Sequence, residues 1–181
     1  MENLWSLKAS EITKLYLSNE ISLDEIINSV EQRFNQVNPK INAIPVSTFE
    51  YARKQAKLLD ENKKNDKPLG CLAGVPVTVK INTDQTGFAS TNGLRLNKSL
   101  IAHKNSTIVD NLEKAGALIV GRTNTPAFSI RWFTNNSLHG HTFNPHNKNI
   151  TPGGSSGGAA SATASGIGLS LIHISEPTRH L

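Results

Sequence analysis

The sequence predicts an α/β fold in which helices pack against a sheet that contains parallel strands, and three observations support this class. The segment "GVPVTVK", which ends at Lys80, is a run of β-branched residues typical of a strand buried on both faces. The segment "NSTIVDNLEKAGALIVGRTNTP" indicates a helix followed at once by an apolar strand, the order found in α/β proteins. The length of 181 residues is enough for one domain with a sizeable core.

Three helices are predicted before the first strand. Apolar residues at helical spacing predict the first over 9–19. Ser22 and Glu25 form an S-x-x-E capping box that begins the second. We expect this helix to end near Asn38, because Pro39 disfavours helical geometry in the residue before it. The third helix, in "STFEYARKQAKLLDENK", is expected to bury Phe49, Ala52, Ala56 and Leu59.

The remaining elements alternate between regular and irregular segments. A helix is predicted to begin at Ser106 or Thr107 and to end at Gly116, and a buried strand is predicted over 117–121. Residues 135–152 are rich in Asn, His and Pro and are expected to be irregular, and a loop of this length is usually functional or disordered. The small residues of "GGAASATASG" then predict a tightly packed helix.

Composition narrows the possible functions. The net charge is +5, but the most basic stretch carries Asp60, Glu61 and Asp66 among its lysines, so it indicates a solvated helix rather than a nucleic-acid site. Cys71 is the only cysteine, which excludes an intrachain disulfide and favours a reducing compartment; we expect it to be a small buried filler. The sequence has no signal-peptide pattern and no run of ~18 apolar residues, so a soluble cytoplasmic protein without membrane contacts is expected.

The glycine–serine loop "PGGSSGG" is the strongest candidate for a functional site. The G-x-S-x-G pattern of a hydrolase nucleophile elbow is matched at Ser155 and again at Ser156. That pattern requires a preceding strand and a downstream acid and histidine. Here the irregular segment "NPHNKNITP" precedes the loop, and the only later histidines, His173 and His180, lie in the C-terminal stretch that does not match the rest of the chain, so this hypothesis fails. Nucleotide-binding patterns fail as well, because G-x-x-x-x-G-K-[ST] is absent and no strand precedes the loop. A flexible turn, and a non-enzymatic anion-binding module at a helix N-terminus, stay open.

Three segments together resemble the amidase signature family of serine hydrolases. They are "GVPVTVKINTDQTG", "GALIVGRTNTPAFS" and "NPHNKNITPGGSSGGAASATASGIG", in the order and spacing of that family, and the resemblance extends to Gly168. It implies a mixed central sheet with helices on both faces, and hydrolysis of a small-molecule carboxylic acid amide without metal or organic cofactor. It also implies a possible homodimer of the full-length protein. The segment "FSIRWFTNNSLHGHTFNP" is more similar to the small-amide hydrolases of the family than to its amidotransferase members, which act on misacylated tRNA and remain the alternative.

The resemblance implies a Ser–Ser–Lys triad, in which Lys80 is the base and Ser155 is the relay, joined to Gly154 by a cis peptide bond. A serine hydroxyl needs a nearby base, and burial in an apolar strand can lower the pKa of a lysine enough to provide one. The alternative for Lys80 is a strand-end lysine with its amine in solvent. Ser156 is expected either to support the loop by hydrogen bonds or to cap the following helix. The residues implied to support the loop are Gly153, Gly154, Ser156 and Gly157.

The end of the chain does not match the family. The resemblance places the nucleophilic serine and the oxyanion loop near Arg179, and nothing there fits. Leu169–Arg179, "LSLIHISEPTR", instead resembles the translation of a transposase-based sequencing-library adapter. We therefore expect residues 1–168 to be the N-terminal portion of a truncated amidase domain and residues 169–181 to be an artefact. The nucleophile would then be absent and the chain inactive. A diverged natural C-terminus, or a rival nucleophile at Ser175, is the alternative.

Two further groups are candidates for a site. His139, His141 and His146 lie close together in sequence, but no Cys or carboxylate accompanies them at ligand spacing. We therefore expect loop or surface packing there and no metal. Trp132 and Phe133 could line a substrate pocket or could pack in the core.

Overall fold

A computed structural model of the chain describes residues 3–170. The helices are α1 (Ala9–Leu17), α2 (Leu23–Ile41), α3 (Phe49–Lys64), α4 (Thr107–Lys114) and α5 (Gly157–Ala164). The strands are β1 (Val46–Ser47), β2 (Pro76–Lys80), β3 (Leu118–Thr123), β4 (Asn135–Asn136), β5 (Gly140–His141) and β6 (Leu169–Ser170). Short 3₁₀ turns occur at Leu4–Ser6, Arg95–Asn97 and Ala127–Ser129.

The central sheet is mixed and has the strand order β1-β3-β2-β6. Strands β3 and β6 run parallel to β2, and β1 pairs antiparallel with β3. The first four residues of β2 and all six of β3 are buried. Because successive side chains of a strand point to opposite faces, both faces of these central strands are covered. Helices α2, α3 and α5 contact the central strands, which confirms the predicted α/β class with a mixed sheet.

The helical core follows the predicted pattern. Helix α3 buries the four residues expected from its sequence, which are Phe49, Ala52, Ala56 and Leu59. It packs beside α2, where the rings of Phe34 and Phe49 meet edge to face with centroids 5.4 Å apart. At the start of α2 the capping box is present, since the Ser22 side chain accepts from Glu25 N and the Glu25 side chain accepts from Ser22 N. Local signals therefore determine this part of the fold.

The predicted end of α2 is wrong. The helix continues past Pro39 to Ile41, and its last residue is buried in the core. Asn38 compensates for the proline, because its side chain accepts hydrogen bonds from the backbone N–H groups of Ala43 and Ile44 at 3.0 and 2.9 Å. The same side chain donates to the carbonyl of Ile44 at 3.0 Å. Tertiary packing of the final turn thus outweighs the local preference that Pro39 imposes.

The α4–β3 unit forms as predicted. Ser106 is the residue before α4, and its hydroxyl accepts from Val109 N at 3.5 Å. Gly116 follows the helix with φ +84°, and a Cβ there would lie 2.2 Å from the carbonyl oxygen of Leu69. Strand β3 runs two residues beyond the predicted end, so that Arg122 belongs to the strand and is fully buried.

Several side-chain expectations are corrected by the structure. Cys71 is exposed and is not a core filler. Trp132 is 82% exposed and Phe133 43% exposed, so neither belongs to the core. Residues 135–152 are largely irregular as predicted, but β4 and β5 pair within them. No helix among residues 3–170 combines the length and apolar character needed to cross a membrane.

Candidate active site

Lys80 is the last residue of β2 and lies among apolar neighbours. Val79 and Ile81 on either side of it are buried, whereas Lys80 itself is half-buried. Burial lowers the pKa of Lys80 from its ordinary value near 10.5 to about 8. A minor part of the amine population is therefore neutral near physiological pH, and neutral amine is the state that can accept a proton.

The structure brings Lys80 and the serine pair together. The Nζ atom of Lys80 lies 3.0 Å from Oγ of Ser155 and 3.3 Å from Oγ of Ser156, which are 75 and 76 residues away in sequence. The amine is thus directed at the serine loop, which disagrees with a strand-end lysine in open solvent. The peptide bond between Gly154 and Ser155 is cis, as the family resemblance implies.

The serine loop is tightly held by its neighbours. A Cβ on Gly154 would lie 2.5 Å from the carbonyl oxygen of Arg131 and from the amide nitrogen of Phe133, so this position has no room for a side chain. Thr134 Oγ1 donates to the carbonyl of Gly153 at 3.1 Å and accepts from the amide of Gly157 at 3.0 Å. One threonine therefore bridges the two ends of the loop.

Ser156 directly precedes α5 but does not cap it with its side chain. It occupies the position before the helix, yet its hydroxyl makes no capping bond. That hydroxyl instead lies 3.3 Å from Nζ of Lys80. Of the two expectations for this residue, the geometry agrees with hydrogen bonding in the loop rather than helix capping.

Three polar residues near the loop were missed by sequence analysis. Thr125 Oγ1 lies 3.1 Å from the carbonyl oxygen of Ser155 and 2.8 Å from Ser129 Oγ. Asn82 Nδ2 lies 3.1 Å from Ser129 Oγ. Thr125 and Ser129 fall inside the segment "GRTNTPAFS", and a run of small polar residues directly after a buried strand was the signal that could have identified them.

The other sequence candidates lie elsewhere. Among residues 3–170, no three His, Cys, Asp or Glu side chains form a group that could hold a metal ion. His139 is half-buried, and its burial lowers the pKa of His139. The structure does not describe the C-terminal residues to which several expectations applied, so those expectations lie outside it. These residues are the adapter-like segment after its first two residues, with His173, Ser175 and Arg179, and also His180.

The arrangement can move protons between an amine and a hydroxyl. A partly neutral amine contacts a serine hydroxyl in a loop fixed by its glycines, which is the arrangement of a lysine-activated serine hydrolase. The fold is a mixed sheet with packed helices, and a lysine at the end of a central strand faces a Gly-Ser loop that precedes a helix. This combination places the protein in the class of amidase-like serine hydrolases.

A family model described as Amidase matches residues 25–172, and the chain belongs to that family. It is 44% identical over 165 residues to an indoleacetamide hydrolase of Bradyrhizobium diazoefficiens, covering 91% of this chain and 32% of the relative. It is 39% identical over 162 residues to one subunit of the glutamyl-tRNA(Gln) amidotransferase of Fusobacterium nucleatum, covering 90% of this chain and 33% of the relative. The chain thus spans about a third of the length of these relatives.

Solved structures show the same fold. A bacterial aryl acylamidase of the amidase signature family superimposes with a TM-score of 0.85 at 34% identity, covering 90% of this chain and 34% of that one. A 6-aminohexanoate cyclic dimer hydrolase, solved with its substrate, gives a TM-score of 0.82 at 31% identity, covering 92% and 33%.

Proposed function

We propose that the whole protein to which this chain belongs hydrolyses a carboxylic acid amide to the acid and ammonia or an amine. The observation that carries this proposal is the 3.0 Å contact between Nζ of Lys80 and Oγ of Ser155. The lowered pKa of the amine supports it, because only neutral lysine can act as a base. An anion-binding module has no need of this contact, so the geometry favours the amidase over that alternative.

The proposed reaction is acyl transfer through a proton relay. The neutral amine of Lys80 takes the proton of the Ser155 hydroxyl. At the same time Ser155 takes the proton of a nucleophilic serine, which the 181-residue chain lacks and another part of the whole protein supplies. The oxygen of that serine bonds to the amide carbon, and the C–N bond breaks as the relay returns a proton to the leaving nitrogen. Water then cleaves the acyl-enzyme, which releases the acid and restores the serine.

We propose that the acid part of the substrate is apolar or aromatic. The segment beside Gly154 exposes three large apolar side chains, with Phe128 62%, Ile130 76% and Trp132 82% exposed. Exposed apolar side chains that lie close together in a chain commonly mark a surface that binds a ligand or another part of a protein. The relative at 44% identity is an indoleacetamide hydrolase, and an aryl acylamidase is among the similar structures.

A chain that joins residues 1–168 to the remaining part of the Bradyrhizobium indoleacetamide hydrolase tests the proposal. We expect this joined chain to hydrolyse indoleacetamide, and Lys80→Met or Ser155→Ala to lower kcat by about 10²-fold or more, the usual effect of removing an acid–base group. Cys71→Ser, at an exposed residue that the site does not use, is the matched control. Undiminished turnover in Lys80→Met would contradict the proposal.

An amidotransferase subunit is the second candidate, because the Fusobacterium nucleatum amidotransferase protein is 39% identical to this chain. The two candidates differ in what the whole protein needs for activity. An amidase releases ammonia from a free amide alone. The second candidate would be favoured if the whole protein transferred ammonia to a tRNA-linked acyl group and did so only when partner proteins were present.

We also propose that residues 169–181 derive from a library adapter and that the 181-residue chain is inactive by itself. The absence of a family-like glycine-rich segment after Gly168 supports this. The family match runs to residue 172, so the boundary has to be decided from the nucleotide sequence. Codons for Leu169–Arg179 that differ from the adapter, or amide hydrolysis by the chain alone, would contradict it. A cytoplasmic location is proposed from the single cysteine.

A further inference from the structure

We propose that Asn82, Ser129 and Thr125 form a hydrogen-bonded chain that positions Ser155 against Lys80. The inference rests on the proposed function, because it assigns these three residues to the support of the same proton relay. None of them touches the reacting atoms, so they are positioning residues. The geometry that carries the inference is a continuous series of three short contacts that ends on the backbone of Ser155.

The direction of each hydrogen bond in this chain is fixed by its two ends. The carbonyl of Ser155 can only accept, so the single hydroxyl hydrogen of Thr125 points to it at 3.1 Å. Ser129 must then donate its own hydrogen to Thr125 at 2.8 Å. That leaves the oxygen of Ser129 to accept from the amide of Asn82, which can only donate, at 3.1 Å. All three bonds run the same way, so that each one polarises and strengthens the next.

The chain holds Ser155 from the same segment that supplies the base. Lys80 contacts the side-chain oxygen of Ser155, and Asn82, two residues later, begins the series that reaches the carbonyl oxygen of Ser155. The serine is thus fixed at both its side chain and its backbone from one end of β2. A shift of the loop would have to break both connections.

The backbone around Ser129 and Thr125 is arranged to keep this geometry. Phe128 and Ser129 are both left-handed, with φ of 54° and 59°, although neither is glycine. Such a conformation is uncommon for these residue types and persists where the surroundings enforce it, often at functional sites. Thr125 is fully buried, and its carbonyl accepts from Nδ2 of Asn136 at 2.7 Å. The contact with Asn136 therefore holds the backbone of the residue that carries the Thr125 hydroxyl.

Substitution of Thr125 tests the chain on the 181-residue protein through the titration of Lys80. Thr125→Val keeps the volume but removes the donor to the Ser155 carbonyl. The loop then loosens, water reaches the amine and the contact with Ser155 weakens. The entry of water favours the charged lysine, whereas the weaker contact with Ser155 acts the other way, because the ammonium donates a hydrogen bond to that hydroxyl. Since burial is the cause of the lowered pKa of Lys80, we expect the effect of water to dominate and this pKa to rise by about one unit. Thr125→Ser keeps the hydroxyl and should titrate like the parent chain. The measurement is NMR of ¹³Cε-labelled lysine, with the Lys80 signal assigned by its loss in Lys80→Met.

Ser129→Gly separates positioning from a purely structural role. Glycine accepts the left-handed backbone without strain, and this offsets part of the loss of two hydrogen bonds and of the entropy cost of glycine. Thermal unfolding followed by circular dichroism should therefore show only a small loss of stability. The positioning role nevertheless requires the pKa of Lys80 to rise, because the donor to Thr125 is gone. If Thr125→Val or Ser129→Gly leaves the Lys80 titration unchanged in a folded chain, the inference is overturned. If the pKa of Lys80 shifts as expected but the joined chain does not hydrolyse the amide, the proposed function is contradicted and the positioning role of these residues is not.

Discussion

At the scale of single residues, the candidate site depends on the environment of one amine. Lys80 sits at a strand end between buried aliphatic residues, and burial is the cause that lowers its pKa to about 8. The amine is near enough to Ser155 to exchange a proton with it. The sequence selected both residues only through the resemblance to the amidase signature family, because the aliphatic run alone left a strand-end lysine in solvent open and the Gly-Ser loop alone left a flexible turn open.

The pKa of Lys80 predicts how kcat of the joined chain depends on pH. The base must be neutral, and Lys80 loses its proton as the pH rises through about 8. We therefore expect kcat to rise about tenfold per pH unit well below that value and to level off above it. Stopped assays between pH 6 and 9.5 measure the profile. A plateau reached already below pH 6.5 would mean that Lys80 is not the base.

At the scale of elements, the serine loop is positioned by the segment that precedes β4. Sequence patterns predicted β2, β3 and α5 but not this contact, because it joins residues through their backbones and leaves no periodic signal. Gly154 illustrates the point. A glycine is required at this position because backbone atoms of Arg131 and Phe133 lie too close for a side chain, and not because the backbone angles demand glycine. The end of α2 was missed for a related reason, because the side chain of Asn38 stabilises the turn that follows Pro39.

Gly154→Ala tests that packing. The added methyl group would lie 2.5 Å from two backbone atoms, so either the loop or the segment must move. Because a displacement of about 1 Å can cost 10²-fold in rate, we expect a loss of about that size in kcat/KM of the joined chain. Gly87→Asn is the control, since nothing lies within 4 Å of a Cβ there and asparagine adopts a left-handed backbone, φ +84° at this position, more readily than most other residues. Equal activity of the two variants would show that the loop tolerates the shift.

At the scale of the whole molecule, the central strands bring together pieces that are far apart in sequence. Strand β2 supplies Lys80, β3 leads directly into Thr125, and α5 begins where the serine loop ends. Arg122 joins β3 to the segment that follows β2, because its guanidinium donates to the carbonyls of Ile81, Thr83 and Ala89 from within β3. Its role could not be predicted, since arginine is rarely buried and the strand was expected to end at the residue before it.

Arg122→Met should therefore destabilise the fold as a whole. The methionine roughly fills the space of the aliphatic stem, but three carbonyls lose the Nη2 group, whose two hydrogens they share. Hydrogen bonds from charged groups contribute about 1.5–3 kcal/mol each, whereas Nε and Nη1 of Arg122 are buried without a hydrogen-bond partner and lower the gain. The cost of burying the guanidinium, whose pKa burial lowers to about 10, offsets part of this. We expect a net loss of at least about 2 kcal/mol in the free energy of unfolding, measured by urea denaturation of the 181-residue chain. Arg53→Met, which removes a partly exposed ion pair with Glu31, should cost less than about 1 kcal/mol. Similar urea midpoints for the two variants would mean that Arg122 does not hold the strands and the following loop together.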